Sequence, residues 1–171
     1  MNNATRAKKI ALSGILLGFT VICVFLASVL PTSRLSLYAI SSLFVAVIII
    51  EFGAKSGWTF FAASAVLSAV LIPRLEVLPY IVFFGVYGLL KLYFERLQNR
   101  VLEYTLKLVY FNICLLLGFV FLKEFILAGV ELPAPVYIVA ALMEIVFIVY
   151  DYVYTLFIRF YSSTLKPKLK I

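Results

Sequence analysis

The sequence predicts an all-α, polytopic membrane protein: six transmembrane helices in one compact bundle, with both termini on the cytoplasmic side. Three observations predict it. First, 65% of the 171 residues are hydrophobic, only 13% are charged, and mean hydropathy is +1.13, whereas an ordinary soluble domain is about half apolar and about a quarter charged. Second, the apolar residues fall into six runs long enough to cross a bilayer. Third, the 15 Lys and Arg residues lie unevenly between those runs, as they do when cytoplasmic loops collect positive charge.

The first span covers about residues 10–30, after the basic start MNNATRAKK. Its apolar run of about 21 residues exceeds the 7–15 of a signal-peptide core, and no small-residue cleavage site follows, so a retained helix is expected. Pro31 ends it. The second span, 35–52, closes on Glu51 and the EFGAKSG turn, where Gly53 and Gly57 suit a tight connection. The third, 58–72, is short and rich in Ala and Ser, begins at Trp58 in the position of an interfacial anchor, and is broken by Pro73, Arg74 and Glu76. Its small run, Ala62, Ala63, Ala65, Ser68 and Ala69, is expected to pack internally. The fourth, fifth and sixth spans cover about 77–94, 103–122 and 134–160, and the basic tail SSTLKPKLKI is expected to be mobile. No linker separates a second domain, so residues 1–171 read as one.

Charge sets the orientation. With the N-terminus inside, Arg6, Lys8, Lys9, Lys55, Lys91, Arg96, Arg100, Lys107, Arg159, Lys166, Lys168 and Lys170 fall on the inner side, and Arg34, Arg74 and Lys123 on the outer. The elbow between the fourth and fifth spans is the most strongly marked inner segment. A net charge of +7 therefore speaks of topology. Nucleic-acid binding is not expected, because the basic residues flank apolar runs and form no face with interleaved base-stacking groups.

Chemistry is sparse. Histidine is absent, which removes the usual general base and the commonest metal ligand. Cys23 and Cys114 stand alone in apolar runs and read as small buried hydrophobes. No P-loop or GxGxxG is present, and nucleophile and base do not occur together. No enzyme, catalytic residue, metal site or cofactor is expected.

Two acids carry the most information. Glu144 and Asp151 are seven residues apart on the sixth span, nearly one helix face, and an acid at membrane depth costs about 2.5–3.5 kcal/mol on insertion scales. Asp151 approaches the inner boundary at the depth of Lys107, which makes a structural ion pair between them one reading and a ligand contact the other. Glu144 falls near mid-membrane at the depth of Asn112. These two are candidates for a substrate-binding pocket, with Tyr87 and Phe147 as apolar contacts, or else for an interhelical hydrogen bond. Tyr80, Phe83, Phe84 and Tyr137 are further aromatics that either line a site or pack the core. Lys123, Glu124 and Glu131 flank the outer end of the fifth span, either solvated or in a loop that closes over an outward-facing pocket.

On the first helix, Ala7, Ala11, Gly14 and Gly18 form one small-residue stripe. Such a stripe admits another helix closely, either within the bundle or on a separate partner protein. With this stripe in AKKIALSGILLG, the whole chain resembles the substrate-binding S components of energy-coupling factor transporters, small six-helix proteins with both ends in the cytoplasm. In that family a small-residue motif on the first helix docks against a transmembrane coupling subunit. The resemblance implies capture of a vitamin-like small molecule from outside the plasma membrane and delivery with a separate ATP-driven module. The segments LPYIVFFGVYGLLKLYFER and LEYTLKLVYFN are also similar to a family of small bacterial membrane proteins of like architecture with no assigned activity. The alternative function is accordingly a non-transport scaffold or interaction protein of the bacterial envelope.

Overall fold

The computed structural model describes residues 3–72, 75–97, 99–126 and 135–169. All of its regular structure is helical, and among the described residues six helices are long and apolar enough to span a membrane. In hydrocarbon this follows from hydrogen bonding, because only a helix or a closed barrel satisfies every backbone group without water. The protein is a multi-pass membrane protein. By contacts the chain forms two compact units, Met1–Leu92 with Leu156–Ile171, and Tyr93–Thr155, where the sequence reading expects one domain.

In the first unit, helix α1 (Asn3–Val29) leads through a short 3-10 turn, Pro31–Ser33, into α2 (Arg34–Phe52). Helix α3 (Ala54–Leu71) follows after a single residue, Gly53. Gly53 makes this possible: its φ of 81° and ψ of 171° are accessible essentially only to glycine, and its N–H still donates to Ile49 O at 2.9 Å. Helix α3 thus starts a turn before Trp58, which lies beyond its first residues with its ring set edge-on to Phe61. Gly57, expected in the connection, instead lies inside α3, where an added Cβ would fall 3.0 Å from Leu89 Cδ2 and nearer still to Ile49. The absent side chain allows a close approach.

The fourth span starts irregularly. A 3-10 turn at Leu75–Val77 and a π turn at Tyr80–Phe84 precede α4 (Gly85–Phe94). The widened turn closes with Gly85 N–H donating to Tyr80 O. Tyr80, Phe84, Tyr87 and Leu89 are all buried along this span. Val45, Ile48, Phe60 and Leu89 form the apolar centre, with Leu16, Leu17 and Phe44 packed on it. Hydroxyls inside the unit bond locally: Ser41 to Tyr38 O, Ser42 to Ala39 O, and Ser64 both to Phe61 O and, at 2.6 Å, to the Tyr80 hydroxyl. On α3 the buried face is Gly57, Phe60, Ser64 and Ser68, while Ala62, Ala63 and Ala69 are exposed. Of the small run only Ser68 packs internally as expected, with Ala65 half-buried, because the helix turns its serines inward and three of its alanines out.

The ends of this unit are chemically distinct. At one end Arg34 pairs with Glu76 at 3.1 Å, and the Tyr38 hydroxyl donates to Glu76 O. At the other, Lys9 donates to Ser56 Oγ at 2.7 Å and Lys166 to Ile50 O at 2.8 Å. The first and last described segments of the chain thus meet the same end of α2 and α3. Of the tail expected to be mobile, the described residues up to Leu169 are helical: a π turn at Tyr161–Leu165 runs into a final short helix, α7 (Lys166–Leu169), after α5 (Arg100–Ile126) and α6 (Val136–Phe160). The widened turn precedes Pro167, whose ring would collide with a carbonyl one turn back in a regular helix.

Candidate functional site

The second unit holds most of the polar side chains singled out in the sequence. Asn99 caps α5, its Oδ1 accepting from Val101 N–H at 3.0 Å. From there α5 and α6 run antiparallel, and their facing residues form three rungs. Lys107 Nζ lies 3.3 Å from Asp151 Oδ2; one turn on, the rings of Phe111 and Phe147 stack at 4.5 Å with planes 6° apart; then Asn112 Nδ2 donates to Glu144 Oε1 at 2.7 Å and to Leu108 O at 2.9 Å. From Lys107 to Phe111 the step along α5 is four residues, matched by four back along α6 from Asp151 to Phe147; Asn112, next to Phe111, reaches Glu144, a further three residues back.

The lowest rung is larger than the sequence reading expects. Lys107, only 2% exposed, also contacts Glu103 at 2.6 Å and Glu95 at 3.3 Å. Glu103 was legible, since Glu placed four residues before Lys on a helix is the favourable orientation of such a pair. Glu95 was not, because only the elbow's fold returns it to α5. One buried ammonium thus serves three carboxylates, which makes the cluster an anchor between helices.

Of the four candidate substrate-binding residues, Asn112, Glu144 and Phe147 come together, and each already has a partner across α5 and α6. Tyr87 belongs to the other unit, where it is fully buried with its ring 5.5 Å from that of Phe83. Tyr80 and Phe84 are likewise core residues, Phe84 lying 5.5 Å from Tyr38 in a stacked pair, whereas Tyr137 is exposed. Cys23 and Cys114 are half-buried, not fully buried. Lys123, Glu124 and Glu131 lie outside the residues whose side chains are described.

The candidate docking stripe has a different character. Ala7, Ala11, Gly14 and Gly18 are all exposed along α1, and a methyl group placed on Gly14 or Gly18 would meet no atom within 4 Å. Beside it, α1 and α3 border a groove of about 400 Å³ whose wall includes Lys9, Gly14 and Lys55. Comparison with family models, curated proteins and solved structures finds no match to this chain.

Proposed function

We propose that this chain is the substrate-capture subunit of an uptake transporter in a bacterial plasma membrane, oriented with both termini in the cytoplasm. It takes a vitamin-like small molecule from outside and relies on a separate transmembrane coupling subunit with ATPases for release. The observation that carries the reading is the open stripe on α1. Glycine inside a helix costs about 1 kcal/mol relative to alanine, yet Gly14 and Gly18 have open space around them in the described chain, which suits a surface kept flat for another helix. The placement of Lys9, Lys55 and Lys166 near one end of the first unit supports the orientation.

The test is purification in mild detergent from the native host. A coupling subunit with its ATPases should accompany the protein, and Gly18→Leu or Ala11→Leu should reduce its recovery at least tenfold while leaving yield and thermal unfolding unchanged. Reproducible recovery of other envelope proteins without such a module would contradict the reading. That outcome belongs to the second reading, a scaffold, which the bond between Asn112 and Glu144 favours: two polar groups that satisfy each other fasten helices without any ligand.

A further inference from the structure

We propose that the groove between α1 and α3 binds one anionic phospholipid from the cytoplasmic leaflet. The two helices both run away from the Lys9 end of the unit, and their groove-lining residues change character in step. On α1 the succession is Lys9, Ser13, Leu17; on α3 it is Lys55, Thr59, Ala63. Each is a series spaced by four, so cation, hydroxyl and apolar group follow one another over about 12 Å of helix. A phospholipid presents the same succession: a phosphate, glycerol and ester oxygens, then an acyl chain.

The details fit that occupant. Lys9 spends one N–H on Ser56 Oγ at 2.7 Å and lies 5.4 Å from the centre of the Phe52 ring, which fixes the ammonium at the mouth with further donors in hand. Lys55 is exposed beside it. Among the described residues lining the groove none is acidic, so no internal carboxylate competes for the two ammonium groups. Deeper in, Phe60 forms an apolar floor, and Gly14, which an added methyl group would leave without contacts, leaves room for a chain. The groove lies on a different face from the docking stripe, sharing only Gly14 with it, and binding there does not depend on transport; only the choice of leaflet rests on the orientation proposed above.

Trp58 is the sole tryptophan; it is not part of the groove's lining, but it lies next to Thr59 on α3, near enough for a brominated lipid seated there to quench it. The protein is reconstituted in phosphatidylcholine vesicles, and quenching of Trp58 is compared for brominated phosphatidylglycerol and brominated phosphatidylcholine. Phosphatidylglycerol should be preferred on the order of fivefold or more, since a basic residue near an anionic headgroup contributes roughly that factor. Lys9→Gln with Lys55→Gln should abolish the preference, and the charge-matched pair Arg96→Gln with Arg100→Gln should retain it. Equal quenching by the two lipids in the unsubstituted protein, or equal loss of preference in both double variants, would overturn the proposal. So would reversal of quenching by millimolar inorganic phosphate, which would make the groove a site for the free anion.

Discussion

Lys107 is outnumbered by the carboxylates it holds. Removing it leaves Glu95, Glu103 and Asp151 without their shared cation, and breaking a buried ion pair from one side costs about 3–5 kcal/mol. Lys107→Met should therefore lower stability by about that much in detergent, followed by circular dichroism. Asp151→Asn should cost less, because the ammonium keeps Glu103 at 2.6 Å; equal losses would show that the Asp151 contact alone matters. The bond between Asn112 and Glu144 is a smaller quantity. Interhelical hydrogen bonds in membranes average about 0.6 kcal/mol, so Glu144→Gln, which keeps a group able to accept from Asn112, should leave the unfolding temperature nearly unchanged. Glu144→Leu should cost about that average. A loss several times larger would place Glu144 in a more extensive network than its single bond to Asn112.

At the scale of the helix, glycines fall into two classes that the sequence alone does not distinguish. Gly57→Ala puts a methyl group against Ile49 and Leu89 and should destabilise by roughly 1–3 kcal/mol, the usual cost of overpacking. Gly18→Ala, with open space around it, should be neutral or slightly stabilising. Thermal unfolding of the two variants in one detergent checks the contrast, and an equal cost would contradict the assignment of Gly57 to a packed face. The positions of the six spans were legible because hydropathy and charge mark where a helix enters and leaves the bilayer. Rotation about each axis was not: α3 spreads its small and polar residues around the axis, lipid is as apolar as a protein core, and nothing in its pattern indicated that Ser64 and Ser68 turn inward while Ala62 and Ala63 face out. The pairing of Lys107 with Asp151 could be read from depth alone. Tyr87, a candidate apolar contact for Asn112 and Glu144, packs its ring beside Phe83 in the other unit, which an aromatic residue in an apolar span does not announce. The helical course after Phe160 was also hidden, because Lys166 is held by a backbone carbonyl of α2, a partner that no sequence motif names.

For the whole molecule, Lys9 and Lys166 both reach the α2–α3 turn, and the proposed orientation with both termini on one side is in keeping with that. Topology reporters should place Ile171 and the Gln98–Arg100 elbow in the cytoplasm and Glu131 outside. An external C-terminus would contradict the orientation. Capture of a small molecule is the claim that matters most, and native mass spectrometry of the protein purified in mild detergent tests it most directly. A non-lipid small molecule should be bound one to one, distinct from any phospholipid in the α1–α3 groove and unaffected by Lys9→Gln with Lys55→Gln. Intact protein that carries lipid alone, from cells grown with the full range of vitamins, would contradict it.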